Sequence, residues 1–278
     1  MKILTISFIL FLLVIPISFA ESDFSFWDFG DDLIDAFYQK ILDLINFALS
    51  PLQNLVEIFL TEPVQLGLFK SLWAIMIYII SLFYGLFLMF AGFKFIFSGF
   101  SVEKRYQAKE WLKNALIMII AVQASFLLYD FTLQIFSGLS LGVLELLPSN
   151  FFQLTGDNYF NFALNLFLGA VYLFVLIVYV ILMGVRYLLV SAGVIFVPIG
   201  IFLYLIPPLH NFGKMILSML LLLMSIPFFQ AIIFLAGSKL LSIPFFAEIK
   251  IVVMIVSFVL AIIFFIVVLL FVYVIPKV

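Results

Sequence analysis

The chain has 278 residues, of which 67% are hydrophobic and only 10% charged. A soluble domain is about half apolar and roughly a quarter charged, so no water-soluble fold of this length has interior enough for the composition, and lipid must be part of the solvent. A net charge of −2, the absence of cysteine and a single histidine, His210, exclude a disulfide framework, a thiolate metal site and any histidine-built metal centre.

Within lipid, only helices and closed barrels satisfy their own backbone groups. Barrel strands alternate apolar and polar residues, whereas the apolar runs here are continuous and much longer than a strand. The fold class is therefore all-α: a polytopic transmembrane bundle of five or six spans, one of them broken or re-entrant, preceded by an external amphipathic helix.

Residues 1–20 open with Lys2, continue through an apolar stretch and end in the small residues Ser18 and Ala20, the pattern of a secretory signal peptide. An uncleaved anchor is the alternative, and either one delivers the segment after residue 20 to the outside. Residues 21–69 form the acidic segment. Within it Asp32, Asp35, Gln39, Asp43, Asn46 and Ser50 recur at three- and four-residue steps, with Leu33, Phe37, Ile41, Leu44 and Ala48 opposite. This predicts a helix over 31–50, lying on the outer membrane surface or across the bundle and interrupted by Pro51. Asp32, Asp35 and Asp43 are its candidate acidic face.

Residues 70–278 are the predicted transmembrane domain. A first span over 72–97 leads into SVEKRYQAKEWLKN, the most charged loop of the chain. Basic loops stay in the cytoplasm, which agrees with an N-terminus outside and a multi-pass protein of the cell membrane. Arg105, Lys109 and Lys113 share a helix face, Lys104 lies beside them, and Ser101 is placed to cap the helix. These four cations serve as a topology anchor, a partner-docking surface, or both. A second span is predicted over 116–135, a third over 162–183 running to Arg186. Counted up the second span, Asp130 falls near its outer end, where a carboxylate is cheaper than at mid-membrane. Arg186, flanked by apolar sequence, must reach the interface, pair with a carboxylate or meet a lipid phosphate. Residues 188–206 contain Pro198 and end at Pro207 and Pro208, so they either cross or re-enter. Two further spans cover 215–236 and 251–275.

No nucleophile, paired acid or phosphate-binding glycine loop stands in a catalytic pattern, so an enzyme is not expected, nor is a cofactor. Gly92 to Ser125 (GFKFIFSGFSVEKRYQAKEWLKNALIMIIAVQAS) and the stretch IVYVILMGVRYLLVSAGVIFVPIGIFLYLIPPLHNFGKMILSMLLLLMSIPFFQAII resemble the core of the TrbL-like polytopic channel subunits of type IV secretion systems. The archaeal DNA-import family CedA is the nearest relative on this reading. The matching positions are Arg186, Pro198, Pro207 and Lys214. The resemblance implies a channel or pilus-base subunit for DNA transfer, assembled with copies of itself, a small pilin-like membrane protein and a hexameric secretion ATPase, with single-stranded DNA in transit. A small-solute transporter or ion channel, and a passive assembly scaffold, are the rival readings.

Overall fold

The computed structural model describes residues 26–154 and 162–274. The predicted signal peptide lies outside the described residues. Two compact units divide the chain, Met1–Asp43 and Leu44–Val278. The first contributes helical backbone from Phe26 onward, and the side-chain packing of the bundle belongs to the second.

Among the described residues all regular structure is helical. Helix α1 runs Phe26–Thr61, α2 Lys70–Phe97, α3 Val102–Gln123 and α4 Ser125–Leu144. Helix α5 runs Phe162–Leu205, α6 His210–Leu240, the short α7 Pro244–Glu248 and α8 Lys250–Val274. Single 3-10 turns over Leu66–Phe69, Ser98–Phe100 and Pro207–Leu209 link neighbours. Six stretches are long and apolar enough to cross a membrane: Asp43–Thr61, Leu66–Phe97, Ser125–Leu144, Phe167–Leu205, Pro207–Leu240 and Lys250–Leu270. The polytopic helical bundle read from the composition is what forms.

Three boundaries differ from the sequence expectation. Pro51 does not interrupt α1. A proline leaves the carbonyl four residues earlier without its helical donor, here that of Phe47, and the Ser50 hydroxyl donates to that oxygen at 3.0 Å. Where a span was expected over 116–135, one helix ends at Gln123 and the next, Ser125–Leu144, is the stretch long and apolar enough to cross. Ala124 between them is neither glycine nor proline, so nothing in the sequence marks the break; beside it the Trp73 indole donates to the Ser125 hydroxyl at 2.9 Å. Finally, 162–183 and 188–206 are not separate elements. They form one helix of 44 residues, continuous through Gly193, Pro198 and Gly200.

Helix α5 is the spine. At ~1.5 Å per residue its 44 residues reach about 66 Å, roughly twice a hydrocarbon core of about 30 Å. It therefore crosses tilted or extends beyond the core. Its second half receives α2 and α3, and its length is lined by α6, the most extensively packed neighbour. Close approach of α5 and α6 is set by glycine. A Cβ at Gly213 would overlap the backbone of Tyr204 and the carbonyl of Gly200, and one at Gly200 would press on Leu217. Lipid tails are as apolar as leucine, so such close fits, and not expulsion of water, hold membrane helices together.

Lipid also explains where the apolar side chains go. From residue 44 onward α1 turns Leu49, Val56 and Leu60 inward, while Leu44 (71% exposed) and Phe47 (79% exposed) face out. The polar Asn46 turns toward the bundle, its side chain exchanging two hydrogen bonds with the backbone of Leu154, at 2.9 and 3.0 Å. Gln53 donates to the Phe152 carbonyl, which the Tyr172 hydroxyl also reaches. Of the predicted apolar face, Leu44 and Ala48 are exposed, and polar side chains pin the irregular segment 148–154.

Candidate functional site

The middle of the bundle holds a charged side chain. Arg186 lies in α5, 3% exposed. It is enclosed within a continuous helix and not at the end of one, contrary to the terminal position expected from the sequence. On α6, Pro227 has no N–H to give, so the carbonyl of Leu223 loses its helical donor. The Arg186 Nε donates to that carbonyl at 3.0 Å, and Nη2 reaches the Met224 carbonyl at 3.5 Å. The guanidinium thus replaces the missing backbone donor and ties α5 to the break in α6. An arginine suits the place because its donors are fixed in a planar fork and its charge is never lost.

Polar groups continue outward from this point. Tyr129, Tyr179 and Tyr187 lie within electrostatic reach of the guanidinium. The Tyr129 hydroxyl donates to the Val190 carbonyl at 2.6 Å. The Tyr179 hydroxyl donates to the Gln230 side-chain oxygen at 3.0 Å, and the Gln230 amide donates to the Ala261 carbonyl at 3.2 Å. Four helices, α4, α5, α6 and α8, are therefore joined by side-chain hydrogen bonds in a largely apolar interior. No carboxylate among the described residues pairs with Arg186. Glu62 shares with Arg186, Ser137 and Pro227 the wall of a cavity of about 10 Å³. That is close to the space one water occupies. Beside it the Ser137 hydroxyl donates to the Thr61 carbonyl and closes the end of α1.

The second polar region is the start of α3. Ser101 caps the helix as expected, its hydroxyl accepting from the Lys104 amide at 3.3 Å. Lys104, Arg105, Lys109 and Lys113 are all exposed. Arg105 also donates to the Gly99 carbonyl at 3.1 Å. Lys94 of α2 lies 4.2 Å from the Trp111 ring centroid and 5.3 Å from that of Phe90, an attraction between the cation and the ring faces that fastens the basic helix to its neighbour.

Comparison with family profiles matches residues 25–277 to the TrbL/VirB6 plasmid conjugal transfer like proteins. The chain belongs to that family. It is accordingly a multi-pass membrane component of the conjugal-transfer and type IV secretion class. Neither the curated proteins nor the solved structures give a match.

In this TrbL/VirB6-like protein the residues singled out from the sequence do not converge. Arg186 and Pro198 share α5, where Pro198 is buried. Pro207 opens the exposed 3-10 turn before α6, and Lys214 is exposed in the first turn of α6. Asp130 sits in the second turn of α4, half-buried, its carboxylate accepting from Gln134 at 2.8 Å. It makes no pair with Arg186. Asp43 is exposed, while the side chains of Asp32 and Asp35 lie outside the described residues. Sequence reasoning missed Tyr129, Tyr179 and Gln230. The available signal was their polarity within membrane spans, where such groups normally hydrogen-bond across helices.

Proposed function

We propose that this protein is a polytopic subunit of a type IV secretion-like machine that moves DNA across the membrane, contributing to its channel or pilus base. The observation that carries the reading is the family match over residues 25–277. The exposed cations of α3 support it: Arg105, Lys109 and Lys113 offer one basic face, which suits a cytoplasmic partner such as the secretion ATPase. The reading covers both conjugation and DNA import, the latter on the resemblance to the CedA family. The acidic residues Asp32, Asp35 and Asp43 then lie outside, where like charge keeps a passing phosphodiester strand from adhering at short range.

The test is recovery of the tagged protein from its own membranes in mild detergent, with partners identified by mass spectrometry. The expected partners are a hexameric ATPase and a small two-helix subunit. Reversing Arg105, Lys109 and Lys113 to Glu is expected to remove the ATPase and abolish transfer while the protein stays folded. Neutralising Asp32, Asp35 and Asp43 to Asn is expected to slow transfer without blocking assembly. Recovery of the protein alone, together with unaided ion flux in liposomes, overturns the proposal in favour of a transporter.

A further inference from the structure

Helix α4 turns Ser125, Tyr129, Leu133 and Ser140 toward the bundle and leaves its opposite face bare. Only 17% of the span Ser125–Leu144 is buried, against 50% of Pro207–Leu240. Leu127, Phe131, Gln134, Gly138 and Leu141 are all exposed. They step by four and three residues, so they form one line down the helix.

Gln134 stands at the middle of that line and of the 20-residue helix. Its amide donates one hydrogen to the Asp130 carboxylate at 2.8 Å. The second amide hydrogen and the amide oxygen have no partner among the described residues. Hydrocarbon supplies neither a donor nor an acceptor, so an amide half-satisfied at this depth is strongly disfavoured. Membrane helices meet such groups with a side chain from another helix. One turn further on, a Cβ at Gly138 would have nothing within 4 Å, and the same holds at Gly142. A neighbouring helix can therefore come close to the α4 backbone there.

The chemistry of the line also says what covers it. An amide is donor and acceptor at once. The Gln134 of a second copy, at the same level on a parallel helix, accepts the free hydrogen and offers one in return. Such self-complementarity is what a two-fold contact between identical surfaces requires. A water-lined wall is the other place for an amide, but Leu127, Phe131 and Leu141 flank this one and suit packing instead.

We propose that α4 pairs with α4 of a second copy along the line from Leu127 to Leu141, with the two Gln134 amides bonded to each other and Gly138 allowing the close approach. Each Asp130 keeps its bond to its own Gln134 beside the line. The pairing needs only a membrane-inserted protein, so it stands apart from the transfer role.

The chain has no cysteine, so single cysteines report the contact directly. Leu127→Cys and Leu141→Cys lie on the line. Leu128→Cys and Leu139→Cys, at 50% and 46% exposed residues, lie off it. Oxidation of the full chain in its own membranes, where all copies share one orientation, is expected to crosslink the first pair several-fold more than the second. Association of labelled copies in liposomes, followed by energy transfer as lipid is added, gives the strength of the contact. Gln134→Leu is expected to weaken it about threefold to tenfold. Gly138→Leu, which leaves the Asp130 bond intact, is expected to weaken it at least as much. Gly85→Leu on α2, with nothing within 4 Å of its would-be Cβ either, is expected to leave it unchanged. Equal crosslinking on and off the line, or association unmoved by both Gln134→Leu and Gly138→Leu, overturns the proposal. No crosslinking at any of the four positions also overturns it, and leaves this face to a helix of another protein or to lipid.

Discussion

Replacing Arg186 tests whether the guanidinium stands in for the amide that Pro227 lacks. Arg186→Met keeps most of the side-chain volume and removes every donor. The Leu223 carbonyl, in a residue 1% exposed, then has no helical or side-chain partner. A buried acceptor left unpaired costs about 1–3 kcal/mol. Losing a buried charge recovers part of its desolvation penalty, so the net effect falls toward the lower end of that range. The decisive comparison is in the Pro227→Ala background. Alanine restores a backbone N–H four residues after Leu223, so the carbonyl no longer depends on Arg186. Arg186→Met should then cost distinctly less, with a coupling of about 1 kcal/mol or more between the two sites. Arg186→Lys keeps the charge but not the fork and should fall between the native protein and Arg186→Met. Equilibrium unfolding of the four proteins in mixed micelles measures the cycle. Additivity within about 0.5 kcal/mol would show that Arg186 and Pro227 act independently, and the account of the helix break would be wrong.

Packing leads to further outcomes. Gly213→Ala should separate α5 from α6, because its methyl would overlap the Tyr204 backbone, which cannot move aside as a side chain can; a loss of about 1–3 kcal/mol or more is expected. Gly85→Ala, with nothing within 4 Å of its would-be Cβ, should be neutral or slightly stabilising, and thermal midpoints of the two variants compared in one detergent check the contrast. Asn46→Ala should release both polar groups of Leu154, itself 5% exposed, and speed amide exchange across 148–154; protection unchanged from the native protein would mean that other contacts hold this segment.

Composition is enough for the fold class, because 67% hydrophobic residues in runs longer than any strand leave helices as the only economical answer. The Ser101 cap and the shared face of Arg105, Lys109 and Lys113 are legible for the same local reason: each depends on residues within a few positions. Apart from Pro51, where the Ser50 hydroxyl answers locally, the differences are non-local. A charge between two apolar runs normally ends a span, which puts Arg186 at an interface on sequence grounds. Here a carbonyl 37 residues away on another helix takes the hydrogen bond, and the helix runs on. Asp130 falls in the second turn of α4 because the helix breaks at Ala124, where the sequence carries no mark. On α1 a soluble protein would turn its apolar side inward. In lipid an exposed Leu44 or Phe47 incurs no such penalty, and the polar Asn46 gains by turning inward.

Proline in these helices shows how the chain uses its few polar groups. At Pro51 the freed Phe47 carbonyl is met from the preceding turn by Ser50. At Pro227 the freed carbonyl is met from another helix by Arg186. Pro198 differs, since no described side chain donates to the Val194 carbonyl. Where a side chain supplies the donor, a break becomes a fixed joint; where none does, the helix has only its neighbours to hold its direction. This assigns different roles to the two sets of cations. The charge of Arg186 is committed to backbone carbonyls in a dry interior and is not available to phosphates. The exposed charges of α3 have no such commitment beyond the Arg105 bond to Gly99. Under the proposed transfer role, loss of Arg186 should therefore act on transfer only through the stability of the bundle.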